Sequence, residues 1–400
     1  MENMEELAIF GGKPIRENKI YYGRQCVDQD DVDAVVQTLT SASITCGPKI
    51  AEAEKKLCEV TGAKYAVVVS NGTAALHLAA MAAGFGPGDE VIVSPITFAA
   101  SANCVLYCGA TPVFADINNE TYNIDPECVG KLITPKTKGV VAVDFTGQAV
   151  ELDAIRALCR EHNLILIEDA AHSLGTKYKG QPVGSIADMT CFSFHPVKTV
   201  TCGEGGAITT NDEKLYRHLL RLRTHGITRN PDEMVHPTDD PWYNEQVELG
   251  YNYRLTDFQA AMLCSQLGKL SKFSARRKEI VAAYDAAFSK MPELQVQKEI
   301  QESDTTRHLY ILRFRPEKLS CNRRQFFDAL CAENIIPQVH YLPVYWHSHY
   351  EKLGYPKGLC PNAERYYESS MSIPLFYTLT DEEVGEVIRA VQKIVAYYRK

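Results

Sequence analysis

A single lysine, in an apolar stretch that ends in glycines, is the residue of this chain whose type and surroundings most clearly indicate a role in chemistry. Residues 190–206 read TCFSFHPVKTVTCGEGG, and Lys198 is flanked there by Val197, Val200 and aromatic residues. Burial lowers the pKa of a lysine, and the neutral amine is the form that nucleophilic and Schiff-base chemistry requires. A lysine at the end of a strand can also keep its ammonium group in water. The stretch alone leaves both interpretations open.

A second stretch, residues 70–73 (SNGT), could bind an anion. It stands between an apolar run and a helical pattern, where free backbone N–H groups and the helix dipole attract negative charge. Gly72 lets the backbone approach a ligand closely, and Thr73 adds a hydroxyl group. Ser193, five residues before Lys198, could add another hydroxyl group. Because turns of this kind also occur without a ligand, the motif alone does not establish a phosphate site.

Acidic and aromatic residues follow two further apolar runs. The segment 164–175 (LILIEDAAHSLG) delivers Glu168 and Asp169 to the carboxyl end of a predicted parallel strand, where ligand sites of α/β proteins lie. Asp169 could cap a helix or hold the protonated ring nitrogen of a cofactor. Phe98 could stack on a flat ring or belong to the core. For His172 a buried core histidine is favoured over a role in the site. Taken together, a phosphate site, a strand-end aspartate, a stacking aromatic residue and one lysine in an apolar setting predict pyridoxal phosphate.

The elements that must position these residues alternate along the first 210 residues. Apolar runs predict strands, helical patterns separate several of them, and this order is typical of a parallel sheet covered by helices on both faces. The sequence therefore predicts an α/β fold. The predicted strands are 65–69, 90–93, 112–115, 139–143, 164–168 and 206–209, and the predicted helices between them are 73–83, 98–108 and 152–162.

The remainder of the chain changes character. Residues 229–246 are rich in Pro, Asp, Asn and aromatic residues and predict a long exposed loop. Helices are predicted at 256–270 and 272–290, followed by a small α+β region with a strand at 308–314. We expect a domain boundary near residue 270, which gives a large domain of residues 1–270 with an N-terminal arm and a small domain of residues 271–400.

Composition excludes several classes of protein. The chain has 400 residues, of which 45% are hydrophobic and 23% charged, as in an ordinary globular protein. A net charge of −8 and the lack of basic runs argue against nucleic-acid binding. The 13 cysteines are scattered without a CxxC pair, which favours reduced thiols over disulfides or a metal site. With no signal-peptide pattern and no membrane-length apolar run, a cytoplasmic protein is expected.

Five longer motifs carry a family resemblance that covers nearly the whole chain. They are NGTAAL, EDAAHSLG, FSFHPVKTVTCGEGGAITTN, RTHGI and GYNYRLTDFQAA. In order and spacing the sequence resembles the sugar aminotransferases of the DegT/DnrJ/EryC1/StrS group. The resemblance implies the type I fold of pyridoxal phosphate-dependent transferases: a large domain with a mostly parallel seven-stranded sheet, a small C-terminal domain, and a homodimer with shared active sites.

The resemblance also assigns roles to individual residues. Lys198 would bind pyridoxal phosphate covalently and move the proton, Asp169 would pair with the ring nitrogen, and Phe98 would stack on the ring. Some family members carry histidine in place of this lysine and act as dehydratases, so Lys198 favours transamination. The residues implied around the phosphate and the cofactor's hydroxyl group are Gly72, Thr73, Ser193, Gln148 and, from the partner subunit, Asn252.

Within the family, HPVK, RTHGI and IIPQVHYLPVY are most like the members of the pseudaminic-acid pathway. The resemblance implies amination at C4 of a UDP-linked 4-keto-6-deoxy-N-acetylhexosamine, with L-glutamate as the donor. The residues implied in sugar-nucleotide binding are Tyr22, Ser43, Thr45, His340 and Tyr341.

Some alternatives stay open at this point. Another keto-sugar aminotransferase or a dehydratase would share the fold and the cofactor. A non-catalytic protein would be expected to lack the lysine or the aspartate. A desulfurase-like enzyme would need a reactive thiol, for which Cys202 is the candidate. Arg223, Arg229 and Arg254 are equal candidates for binding the donor's carboxylate.

Overall fold

The computed structural model describes residues 6–400, and a seven-stranded sheet lies at its centre. In chain order its strands are β2 (Tyr65–Val69), β3 (Glu90–Val93), β4 (Thr111–Phe114), β5 (Thr137–Val143), β6 (Ile165–Asp169), β9 (Met189–Ser193) and β10 (Gly206–Thr210). The order across the sheet is β2-β10-β9-β6-β5-β3-β4, and only β10 runs antiparallel to its neighbours. The predicted α/β fold with a mainly parallel sheet of seven strands is confirmed.

Helices cover both faces of this sheet because its strands are apolar on both faces. In β6, Leu166 and Ile167 are fully buried and belong to two different core clusters, one on each side. The helices of the chain are α1 (Gln29–Leu39), α2 (Pro48–Thr61), α3 (Gly72–Ala82), α4 (Ala100–Tyr107), α5 (Pro126–Leu132), α6 (Leu152–Glu161), α7 (Glu213–Arg223), α8 (Asp257–Leu267), α9 (Leu270–Phe288), α10 (Arg323–Ala332), α11 (Ser348–Lys352), α12 (Pro361–Ser369) and α13 (Asp381–Tyr398).

A third core lies among the C-terminal elements. Strands β13 (Leu294–Gln295), β15 (Tyr310–Phe314) and β17 (Ser370–Ile373) form an antiparallel sheet against which α9, α10 and α13 bury apolar residues. The remaining short strands are β1 (Ile20–Tyr21), β7 (Lys177–Tyr178), β8 (Gln181–Pro182), β11 (Ile227–Thr228), β12 (Glu245–Gln246), β14 (Ser303–Asp304) and β16 (Ile335–Ile336).

The N-terminal arm packs on these C-terminal elements. Leu7 and Ile20 belong to the third core, and β1 pairs in parallel with β16. The fully buried Glu333 carboxylate accepts hydrogen bonds from the backbone N–H groups of Ala8 (3.0 Å) and Ile15 (2.9 Å). The arm, which the sequence assigns to the larger domain, thus contributes to the core of the smaller one. The domain limits 1–270 and 271–400 stay a prediction.

The structure decides one segment that the sequence leaves open and adds one helix to the predicted elements. The segment VHYLPVY (339–345), which the sequence allows to be a strand or a loop, is an irregular path that ends in a short 3-10 helix, Val344–Trp346. Helix α7 was not predicted, although its signal is present in the sequence, because Asp212 caps its first turn by accepting hydrogen bonds from the N–H groups of Lys214 and Leu215. Residues 229–246 form the expected exposed loop, in which the Trp242 side chain is 74% exposed. Among residues 6–400, no helix combines the length and the apolarity needed to cross a membrane.

Candidate active site

A cavity of about 720 Å³ opens at the carboxyl ends of β6 and β9, beside the N-terminus of α3. Its position follows from the sheet topology, since parallel strands deliver their last residues to one edge. Most of the residues singled out by sequence line it. They are Tyr22, Gly72, Thr73, Phe98, Asp169, Ser193, Lys198, His340 and Tyr341.

Lys198 lies in the loop after β9 and faces this cavity. Its backbone N–H donates to the carbonyl of His195 at 2.9 Å, and its side chain is partly buried. Burial lowers the pKa of Lys198 to about 8, against the opposing attraction of Asp169. At that pKa about a tenth of the amine is neutral at pH 7. The structure therefore favours the reactive amine over the solvated surface lysine.

Asp169 is the last residue of β6 and approaches the cavity from the opposite side. Its carboxylate accepts a hydrogen bond from the Ser101 hydroxyl at 2.5 Å and one from the Ala171 N–H at 3.1 Å. Burial raises the pKa of Asp169, while these donors and Lys198 oppose the rise. No helix begins within the turn that follows, so Asp169 is not a helix cap. A carboxylate held in this way can accept the N–H of a ring cation.

The anion site predicted at residues 70–73 has the geometry of a cradle. Helix α3 begins at Gly72, and Asn71 caps it by accepting the N–H of Ala74 at 2.8 Å. A Cβ atom on Gly72 would lie 2.9 Å from the Cβ of Ser193, closer than side chains can approach. Only glycine therefore lets the helix N-terminus meet the Ser193 hydroxyl. The backbone N–H groups with the hydroxyls of Thr73 and Ser193 suit a phosphate group.

Phe98 stands at the mouth of the cavity. Its side chain is 64% exposed, which excludes the alternative of a core phenylalanine. The Tyr341 ring lies edge-on to it, with the ring centroids 6.3 Å apart. An exposed aromatic face beside a polar cavity can stack on a flat ring.

Three neutral imidazoles complete the wall near Lys198. His172, His308 and His340 line the cavity, and the His172 and His308 ring centroids are 4.4 Å apart. Burial lowers the pKa of all three, that of His340 to about 3. His172 is buried, as the favoured interpretation of a core histidine expects, but it also lines the cavity, so its role stays a prediction. His308 was not identified from the sequence, because its neighbourhood only predicts a strand; its N–H donates to the Thr146 carbonyl, which fixes it here.

The structure does not bring four of the predicted residues to this cavity. Gln148 is fully buried elsewhere, where its side-chain oxygen accepts the N–H of Ile300 at 2.9 Å, so its expected place near the cofactor is not supported. Ser43 and Thr45 lie in the loop before α2, and neither lines the cavity. Asn252 is exposed and also lies outside its wall. A role for Asn252 requires a second chain.

Of the three arginines that were candidates for binding the donor's carboxylate, the structure disfavours one. The Arg223 guanidinium is held by Glu54 at 2.6 Å and by the Val68 carbonyl at 2.8 Å, which leaves it committed to the packing of β2. Arg229 is exposed and Arg254 is partly buried. Arg223 is thus unsuited to bind the carboxylate of an amino donor.

Cys202 does not have the properties of a reactive thiol. It is buried, its thiol donates to the Glu204 carbonyl, and burial raises its pKa. A raised pKa suppresses the nucleophilic thiolate. The desulfurase-like alternative therefore has no support at this position.

The residues present fit pyridoxal phosphate. The cradle at Gly72 takes a phosphate, Asp169 takes a ring nitrogen, Phe98 takes a ring face and Lys198 takes an aldehyde carbon, all around one cavity. These four groups arise from four separate segments of the sheet edge.

Comparison with known proteins agrees with this chemistry. The sequence profile of the DegT/DnrJ/EryC1/StrS aminotransferase family matches residues 25–392. The spore coat polysaccharide biosynthesis protein SpsC of Bacillus subtilis is 40% identical over 382 residues, covering 95% of this chain and 98% of that protein. The UDP-4-amino-4,6-dideoxy-N-acetyl-beta-L-altrosamine transaminase of Campylobacter jejuni is 39% identical over 357 residues, covering 89% and 92%.

Solved structures are similar over the same length. Helicobacter pylori PseC, an aminotransferase of pseudoaminic acid biosynthesis, has a TM-score of 0.88 at 32% identity and covers 96% of this chain and 100% of its own. The PLP form of Streptococcus pneumoniae Spr1654 has a TM-score of 0.87 at 32% identity, with coverage of 95% and 99%. A PMP form of Spr1654 is equally similar, with a TM-score of 0.88.

We expect Gly72→Ala to weaken cofactor binding. The added methyl group would collide with Ser193 and fill the cradle, and overpacking of this kind costs about 1–3 kcal/mol. Titration of the apoprotein with pyridoxal phosphate, followed by absorbance, measures the dissociation constant. Gly86→Ala is the matched control, because nothing lies within 4 Å of its Cβ position. A Gly72→Ala variant that binds the cofactor as tightly as the wild type would contradict the phosphate cradle.

Proposed function

We propose, from the premise that this chain belongs to the DegT/DnrJ/EryC1/StrS aminotransferase family, that it transfers the amino group of L-glutamate to C4 of a UDP-linked 4-keto-6-deoxy-N-acetylhexosamine. The observation that carries the proposal is that Lys198, whose pKa is lowered to about 8, lines the same cavity as Asp169. The relatives of the altrosamine and pseudoaminic acid pathways support the choice of sugar. The product would serve the synthesis of a cell-surface glycan.

The cofactor of this aminotransferase is pyridoxal phosphate, which when bound supplies the electron sink that makes a Cα–H bond acidic. In its neutral form, which burial makes accessible by lowering its pKa to about 8, Lys198 Nζ accepts the Cα proton of the donor and later returns a proton to C4 of the sugar. Asp169 stays ionised through the donors on Ser101 and Ala171, and so holds a positive charge on the ring nitrogen.

The opposite wall suits an uncharged sugar. Tyr22, His340 and Tyr341 present hydroxyl and neutral imidazole groups, which can bond to sugar hydroxyl and acetamido groups without adding charge. The Tyr22 ring centroid lies 5.0 Å from that of His340. Tyr22, which belongs to the N-terminal arm, is held in place because its backbone carbonyl accepts a hydrogen bond from the Leu375 N–H. The arm therefore contributes Tyr22 to this wall of the cavity.

A homodimer with shared sites completes the proposal. Asn252 is exposed and its neighbour Tyr253 lines the cavity, so the segment borders the site without entering it. Leu249, three residues earlier, is 73% exposed, as expected of a surface that another subunit covers. In this arrangement Asn252 bonds the phosphate of the partner subunit's cofactor.

The substrate assignment is tested by absorbance of the holoenzyme. Glutamate should shift the cofactor band to shorter wavelength, and the proposed UDP-4-keto sugar should restore it, because the two halves of the exchange use one cavity. Lys198→Ala should abolish the cycle, whereas Lys214→Ala, at an exposed site, should leave it unchanged. A different keto sugar that restores the band faster than the proposed one would replace the substrate but not the reaction class.

Covalent capture of pyridoxal phosphate by the apoprotein should depend on pH with a midpoint near 8. The neutral amine is the reactive form, so the rate should rise about tenfold between pH 6 and pH 7 and level off above pH 8. Stopped-flow absorbance measures the rate, with Lys214→Ala as the control for surface lysines. A midpoint near the ordinary lysine value of 10.5 would show that Lys198 is solvated.

Shared sites predict complementation between two inactive variants. Lys198→Ala and Asn252→Ala homodimers should each lose activity, but in mixed dimers one of the two sites contains neither substitution. After subunit exchange, random pairing gives about one quarter of the wild-type activity. Activity before and after mixing measures this, with size-exclusion chromatography and light scattering to confirm the dimer. Mixtures that stay inactive although the subunits exchange would place Asn252 outside the partner's site.

A further inference from the structure

Two carboxyl groups lie buried together behind the candidate active site. Asp144 follows the last residue of β5, Glu168 is in the adjacent strand β6, and both side chains are 0% exposed. Ala142 is paired with Glu168 in the sheet, so Asp144, two residues further on, reaches the same face. Asp169 points from the opposite face into the cavity. The pair therefore lies one residue from Asp169 but across the sheet.

The hydrogen bonds of the pair leave one oxygen without a donor. Asp144 accepts from the Val150 N–H at 3.0 Å and from the Ser173 hydroxyl at 2.6 Å. Glu168 Oε2 accepts from the Thr190 hydroxyl at 2.8 Å, while in the described part of the chain its Oε1 has no partner. Strand pairing places the two carboxyl groups on the same face of adjacent strands, and the charge of Glu168 contributes to the raised pKa of Asp144. Among residues 6–400 neither carboxyl group forms an ion pair.

This arrangement cannot hold two negative charges. A buried carboxylate without a cation is costly, and two in contact repel each other, so one of them retains its proton. Asp144 already receives two donors, which stabilise its ionised form, whereas the unpartnered Glu168 Oε1 needs an acceptor. A proton on Glu168 Oε1 that points at Asp144 satisfies both groups.

We propose that Asp144 and Glu168 share one proton and act as a positioning pair for the two active-site residues that flank them, Asp169 and His172. This rests on the proposed function for the roles of Asp169 and His172. The pair is joined to them by short links. The Asp144 N–H donates to the Asp169 carbonyl at 3.0 Å, and the Ser173 hydroxyl that bonds Asp144 belongs to the residue after His172.

The shared proton also fixes where negative charge resides. If both groups of the pair were ionised, their charges would raise the pKa of Asp169 further and favour its neutral form, which cannot hold a ring cation. With one proton shared, Asp169 remains the carboxylate that faces the cavity. The nearest other titratable groups, Asp169 and Cys191, lie on the opposite face of the sheet, and their charges act on Glu168 across it: Asp169 raises the pKa of Glu168, and Glu168 raises that of Cys191.

Stability should carry the signature of this proton. Burial raises the pKa of Glu168 to about 7 and that of Asp144 above its usual range. A carboxyl group with a raised pKa in the folded state binds its proton more tightly there than in the unfolded state. Its contribution to stability is complete below the unfolded pKa and is lost as the pH rises through about 7.

The experiment uses the holoenzyme and Glu168→Gln, whose amide has the same shape and donates to Asp144 without titrating. Infrared spectroscopy should show the carbonyl stretch of a buried protonated carboxyl group in the wild type at pH 6.5, and Glu168→Gln should lose it. The fall in the melting temperature between pH 6 and pH 8.5 should be smaller in Glu168→Gln than in the wild type. Glu161→Gln, at an exposed position, is the matched control and should change neither property.

The outcomes are decisive in both directions. Loss of the infrared band with a flatter pH dependence supports the pair. A wild-type spectrum without the band at pH 6.5, or a Glu168→Gln variant with the same band and pH dependence as the wild type, overturns it. If Glu168→Gln fails to fold, the pH titration of the wild-type band alone decides, because a shared proton must be lost as the pH rises. None of these readouts uses a substrate, so failure of the proposed function would not affect them.

Discussion

Desolvation at the carboxyl edge of the sheet is the constraint on which the site depends. Lys198 and Asp169 face one cavity, and burial disfavours the charged form of each while the charge of the other supports it. Their balance gives Lys198 a pKa of about 8, so a substantial minority of the amine is neutral near pH 7, while the donors to Asp169 support its ionised form. A wetter site would return Lys198 to its ordinary protonated state, and a drier one would neutralise Asp169.

The sheet topology that forms this edge requires glycine at two positions. Strand β10 returns antiparallel between β2 and β9, which brings Gly206 against Asn71, where a Cβ would lie 2.4 Å from a backbone oxygen. Gly72 meets Ser193 in the same confined space. The phosphate cradle thus depends on close approach of three segments that are far apart in sequence. The glycines are required by this packing and not by left-handed backbone.

The sequence predicted the fold and the centre of the site because both follow from local patterns. Continuous apolar runs predicted six of the seven sheet strands, with each end within two residues of the observed one. The seventh strand, β9, lies in the apolar stretch that precedes Lys198. Residues next to strand ends, such as Asp169 and Lys198, were found for the same reason. His308 and Ser101 were missed because they reach the cavity only through long-range contacts, to Thr146 and Asp169 respectively. Gln148 was predicted in the site but does not lie there, because its side chain bonds instead to the backbone of a segment distant in sequence, at Ile300.

The buried carboxyl pair extends the same electrostatic argument beyond the cavity wall. Three acidic side chains, Asp144, Glu168 and Asp169, lie at two adjacent strand ends, and of these Asp169 shares the cavity with Lys198. One shared proton reduces three negative charges to two and separates those two onto opposite faces of the sheet. The face that carries Asp144 satisfies its charge with fixed donors from Val150 and Ser173. The face that carries Asp169 can then direct its charge at a ring cation, so the proton behind the sheet helps to define the chemistry in front of it.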